Sequence, residues 1–161
     1  MWRPIEGCII LLPIFEFVLR NRKFTSIFVE GVNTAAGDQN SRPPLPHTIL
    51  SLSSYLLTHA TSTSSRAVAY ANIALNILLA LVETKEIMQV FCESSPHPVR
   101  LCRQVCFAVV SIILSLKMFL QRFPVLPFAP SPRPLICAVL DSCILWLRHN
   151  LHKRLETSLY L

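Results

Sequence analysis

One segment constrains this chain more than any other. From Arg66 to Glu83 almost every position is apolar, and the exceptions fall on a single narrow line. At about 100° per residue, Ser65, Asn72, Asn76 and Glu83 stack along one edge of a helix. A helix apolar around most of its circumference must be clasped by neighbours on several sides. The spacing therefore predicts an interior helix in a layered, helical protein.

The rest of the chain agrees with that class. No segment sustains the two-residue alternation of a half-buried strand. Residues 1–31 form an apolar, Phe-rich N-terminal segment that reads as helical, in two pieces around Pro13. Residues 32–47 form a Gly-, Asn-, Ser- and Pro-rich linker, and 48–161 the main helical portion. Within it, a short helix is expected from Thr48 to His59, followed by a Ser/Thr-rich turn. Ser64 or Ser65 is suited to cap the helix that follows, and Thr84 to cap another over 85–93. Residues 94–98 read as a turn, and five prolines between Arg122 and Pro134 exclude a regular helix there. The last helix starts at Leu135 and runs to about Leu159. Ile136, Val139, Leu140, Cys143, Ile144, Leu147, Leu151 and Leu155 recur at three- and four-residue steps, which predicts a core-facing stripe.

Composition sharpens the question of environment. Of 161 residues, 52% are hydrophobic and only 15% charged, with a formal charge of +6. So low a charged fraction raises the question of a membrane. However, the longest uncharged apolar run, from Val105, is stopped by Lys117, short of the roughly 20 residues a span needs. The run from Cys8 to Leu19 contains Pro13 and Glu16, and Glu6 spoils a secretory signal. The six cysteines lie mostly in apolar, helix-like surroundings and read as reduced cytosolic thiols. A cytoplasmic chain, peripheral to a membrane at most, is the expectation.

Chemistry is scarce. Three glycines cannot build a phosphate-cradling loop. Cys102 and Cys106, Cys137 and Cys143, with His97, His149 and His152, provide only one loose pair of zinc-like spacing. No metal, cofactor or enzymatic activity is expected, because no nucleophile-and-base set emerges. The proline runs at Arg42 to Pro46 and Arg122 to Pro127 both miss the Arg-x-x-Pro-x-x-Pro register. Arg148, His149, His152, Lys153 and Arg154 form a basic cluster toward the end of the last helix, where the helix dipole favours it. That cluster, with Asn72, Asn76 and Glu83, is the candidate contact surface for other proteins. Nucleic acid is not expected, as no aromatic stacking platform accompanies the charge. A competing reading is a small membrane-associated protein with Val105 to Leu120 embedded and the basic set at anionic headgroups.

The segments LSLSSYLLTHATSTSSRAVAYANIALNILLALVE, FCESSPHPVRLCRQ and RFPVLPFAPSPRPLICAVLDSCILWLRHNLHKRLETSLY resemble the fungal armadillo-like helical domain family. The resemblance covers 47–104 and 122–160, and is most specific at Leu101 to Gln104 and Trp146 to Leu151. It implies an all-α, armadillo-like α-solenoid fragment with Pro-rich connections and no catalytic residues to carry over. It also implies a large cytosolic protein associated with the Golgi, acting as a scaffold through protein contacts. Solenoids need polar caps at both ends. Neither end of this chain looks like one, so it reads as a portion of a longer solenoid, poorly soluble alone.

One departure from the family pattern is informative. There the Leu-Cys-Arg-Gln motif runs almost directly into an Arg-x-Pro-x-Leu-Pro segment, whereas here 17 residues, Val105 to Gln121, intervene. They hold 13 hydrophobic residues and would be encoded by 17 × 3 = 51 nucleotides. Valine codons begin GT and glutamine can be CAG, matching the two ends of a spliceosomal intron. The insert reads as a retained in-frame intron or a misplaced exon boundary, with a genuine inserted helix as the rival. Transcripts sequenced across the junction should include a message lacking the insert; retention in every transcript, with protein to match, would overturn the intron reading.

Overall fold

The structure, a computed structural model, describes residues 9–34, 43–60, 64–95, 97–102 and 132–153. The described chain is predominantly helical: α1 (Leu11–Arg20), α2 (Arg22–Thr34), α3 (Leu45–His59), α4 (Ser65–Glu83), α5 (Lys85–Cys92) and α6 (Leu135–Lys153). Two residues on either side of a long excursion, β1 (Ser94–Ser95) and β2 (Arg133–Pro134), pair antiparallel. The all-α expectation therefore holds at the level of class. Residues 94–95, expected as part of a turn, form half of that short bridge.

Local chemistry sets the helix boundaries. The N-terminal helices do not part at Pro13, which sits in the first turn of α1, where a backbone N–H has no intrahelical partner to lose. They part at Asn21, which is extended (φ −120°, ψ 100°). Its side-chain oxygen accepts from the amides of Lys23 (3.0 Å) and Phe24 (3.3 Å), capping α2. The start of α3 lies three residues before the expected Thr48: Pro46 sits in the first turn, where its fixed φ suits the helix and its missing N–H costs no bond. Ser64 caps α4 as the sequence predicts, accepting from the Ala67 amide at 3.3 Å. Thr84 does not cap α5. Its hydroxyl instead donates back to the Ala80 carbonyl at 2.9 Å, within the last turn of α4.

The interior helix is α3, not α4. No residue from 49 to 60 is exposed, although this stretch includes three serines, a threonine and a histidine. Hydroxyls can be buried cheaply in a helix when they bond to the preceding turn. Ser54 donates to the Ser51 carbonyl at 2.7 Å, and Thr58 to the Ser54 carbonyl at 2.8 Å. Their small volumes leave room for close neighbours, and α3 packs against α2, α4 and α6. By contrast, α4 is clasped by α1, α3 and α5 but leaves its polar line in water. Its alanines at 67, 71, 74 and 80 interleave with Ile77, Leu78 and Leu81 on the buried side.

Among the described helices, α1 packs on α4, α2 on α3 and α5, α3 on α4 and α6, and α5 on α4 and α6. Phe28 of α2 meets Phe91 of α5 at 6.1 Å between ring centroids. Both ends of α3 meet the matching ends of α6. At the start, His47 Nε2 lies 3.2 Å from Ser95 Oγ, and Ser95 pairs with Arg133 at the entry to α6. At the finish, His149 Nε2 donates to the Ala60 carbonyl at 2.7 Å. The two helices therefore run parallel. Arg133 also binds Asp141 at 2.6 Å, fastening β2 to the second turn of α6, and this bond holds the guanidinium still more firmly in its charged form.

The face that α6 buries is not the one its periodicity suggests. Leu135, Ala138, Val139, Ser142, Leu145, Trp146, His149 and Asn150 are buried, while Leu140, Ile144, Leu147 and Leu151 point outward. Of the eight residues in the expected core stripe, only Val139 is fully buried; Ile136 and Cys143 are half-buried and Leu155 lies outside the described residues. Polar members of the buried face make hydrogen bonds of their own: Ser142 donates to the Ala138 carbonyl at 2.8 Å and His149 Nε2 to the Ala60 carbonyl. Val105 to Gln121 also lies outside the described residues.

Two adjacent serines of α3 test the packing. Ser54 Oγ accepts from the Cys102 amide at 2.9 Å, whereas Ser53 Oγ is buried with no hydrogen-bond partner among the described residues. Ser54→Ala should lower the unfolding free energy by about 1–2 kcal/mol, because a buried amide loses its acceptor. Ser53→Ala should be neutral or stabilising by up to about 1 kcal/mol. Urea unfolding midpoints at constant slope measure both.

Candidate interaction surface

The candidate contact residues lie on α4 and α6, and α1 and α2 also expose Leu12, Phe17, Leu19 and Ile27. On α4, Ala69, Asn76, Leu79 and Glu83 are exposed and Asn72 is half-buried between them, so the predicted Asn72, Asn76 and Glu83 do share one solvent-facing line. Leu79 completes it. On α6, Leu140, Ile144, Leu147 and Leu151 are 43–60% exposed and recur at four-, three- and four-residue steps, with exposed Arg148 beside them.

The predicted basic cluster does not survive as a unit. Arg148 is exposed, but His149 is only 2% exposed and its imidazole is spent on the Ala60 carbonyl. It belongs to the α3–α6 interface, not to a contact surface. Its ring lies 100° around the helix from Arg148, toward α3, which is the physical reason sequence adjacency misleads. His152 and Lys153 close α6, but their side chains, with all of Arg154, lie outside the described residues. The periodicity of the sequence shows the aliphatic line of α6, but the line faces outward because Ser142, His149 and Asn150 lie on the side packed into the core.

Two polar clusters invite a catalytic reading and fail it on geometry. His47 Nε2 lies 3.2 Å from Ser95 Oγ and also 3.2 Å from the His97 carbonyl. His47 and Ser95 are each 4% exposed, so no substrate can reach the hydroxyl. Burial pushes the His47 pKa below its usual 6.5, outweighing the bond to the His97 carbonyl. The cluster is a fastener between the start of α3 and β1. In the second, Cys102 Sγ lies 3.9 Å from His59 Nδ1, which also sits 2.8 Å from the Tyr55 carbonyl. A nitrogen that donates to a carbonyl has no lone pair for the thiol. Burial pushes the Cys143 thiol up, away from the reactive thiolate. No group of His, Cys, Asp and Glu among the described residues is arranged to hold a metal ion.

Among the described residues, α4 is long and apolar enough to cross a membrane. Core helices of soluble proteins share that property, and the apolar side of α4 is packed on its neighbours. Val105 to Leu120, the stretch considered for embedding, lies outside the described residues. A shallow groove of about 620 Å³ lies at the α4–α5 junction, lined by Val82, Lys85, Met88, Gln89, Cys92 and Glu93.

Fold and surface together define a predominantly helical protein with apolar side chains exposed on several of its helices. Comparison with known proteins adds one relative. Over 157 residues the chain is 24% identical to a UPF0588 membrane protein of Schizosaccharomyces pombe, covering 98% of this chain and 22% of that protein. The chain thus spans about a fifth of the length of this curated relative. No protein-family model matches the chain, and no solved structure matches it.

The His47 fastener makes stability depend on pH in a defined direction. Above about pH 6.5 the imidazole is neutral both folded and unfolded, and its contribution is complete. Below it the unfolded chain takes up a proton first, so stability falls as pH drops toward the lowered folded pKa. His47→Gln should flatten the acid side of the melting-temperature profile between about pH 5 and 7. An unchanged slope would show that His47 titrates as an exposed residue does.

Proposed function

We propose that the chain is a non-enzymatic helical-repeat scaffold or adaptor module of armadillo-like build. It binds other proteins through helix-built surfaces, at the periphery of the Golgi or another internal membrane. The observation that carries the repeat reading is the packing of α3 on α6, two helices that run parallel. Parallel stacking of corresponding helices is how successive repeats of a solenoid bury a shared core. Supporting the adaptor reading are the α4 line, where Asn76 and Glu83 flank exposed Leu79, and the burial of the His47–Ser95 pair.

A second reading, a membrane-associated protein with an embedded helix, is supported by the fission-yeast relative, which is named a membrane protein. The proposed embedded segment is Val105 to Leu120. The two readings separate in cells. A scaffold held at a membrane by surface contacts is released by an alkaline carbonate wash, whereas an embedded helix stays in the pellet. The scaffold reading further expects Leu79→Arg to abolish capture of protein partners with less than about 0.5 kcal/mol loss of stability, because the position is exposed. Retention in the pellet, or unchanged capture across α4-line variants, would contradict it.

A further inference from the structure

The outer face of α6 has no role in the packing described above. Leu140, Ile144, Leu147 and Leu151 form an unbroken aliphatic ridge spanning about 16 Å of helix. The opposite face of the same helix is locked into the core by Leu145, Trp146 and His149, so the ridge cannot turn inward. Arg148 stands exposed at its edge. Asp141, the sole acid of α6, is neutralised by Arg133 at 2.6 Å.

We propose that this face is a contact site for an anionic lipid bilayer surface. The four aliphatic side chains enter the boundary of the acyl region, and Arg148 meets lipid phosphate. The inference deepens the peripheral-membrane part of the reading above by naming the surface and what it meets. Charge complementarity selects the occupant. An apolar ridge with a cation at its rim and no free carboxylate on its helix fits an interfacial helix lying in an anionic headgroup layer. The net charge of +6 draws the whole chain to such a layer, and the same charge opposes pairing of two copies through this face. The ridge has no aromatic anchor, the residue type in which protein–protein hot spots are enriched. A fluid acyl boundary takes branched aliphatics without a matching pocket.

Vesicle flotation of the purified full chain tests the assignment. Wild type should float with phosphatidylcholine vesicles containing phosphatidylserine, and less with phosphatidylcholine alone. The double variant Ile144→Ser, Leu147→Ser should float at least about tenfold less, since two aliphatic side chains no longer leave water. Its circular dichroism and melting temperature should match wild type, because both positions are exposed. Arg148→Glu should remove the preference for phosphatidylserine. Flotation of the double variant equal to wild type would overturn the proposal. So would a wild type that ignores both vesicles while the double variant loses self-association in sedimentation, which assigns the ridge to a second copy. Partner capture through α4 is read separately, so failure here leaves the scaffold reading standing.

Discussion

Everything in this fold is arranged around a polar helix that has been made safe to bury. α3 carries serine and threonine hydroxyls into the centre of the molecule, and two of the three fully buried ones, Ser54 and Thr58, close onto carbonyls of the preceding turn. An unpaired buried hydroxyl costs on the order of 1–3 kcal/mol, so this local closure is what permits α2, α4 and α6 to approach. The fasteners at the two ends of α3 then set the register of the other half. His47 holds β1, which holds β2 and so the entry to α6, while Ala60 receives His149. With both ends fixed, α6 runs parallel to α3, and its second apolar face is left pointing outward.

Much of this was legible in the sequence, and the failures share a cause. Periodicity located most of the described helices, and the line through Asn72, Asn76 and Glu83 on α4 is outward-facing. Hydrophobicity could not rank the helices by depth. α4 looks more interior than α3 because alanine and leucine score as buried, whereas a serine bonded to its own helix scores as exposed. The same bias turned α6 around. Ser142, His149 and Asn150 are buried at its interface with the core, while four leucines and isoleucines face water. His149 was read as part of a basic patch because its neighbours are basic, and nothing local to it announces the Ala60 carbonyl 89 positions away.

A two-faced α6 bears directly on function. The proposed scaffold reading uses α4 for protein contacts and α6 for the membrane periphery, dividing the tasks between helices that both rest on α3. The relative, whose length is about five times the matched region, supplies a context in which such a module is one part of a longer protein. Armadillo-like stacking remains the proposal that unites these features, since parallel α3 and α6 are what successive repeats require.

Native-state hydrogen exchange, resolved by residue, tests the central claim most directly. If α3 is the interior helix on which the others depend, its amides from Leu50 to Thr58 should exchange only through global unfolding. The outer half of α4, with its exposed line, should open at lower free energy. Protection highest in α4, with α3 exchanging through local openings, would contradict the account.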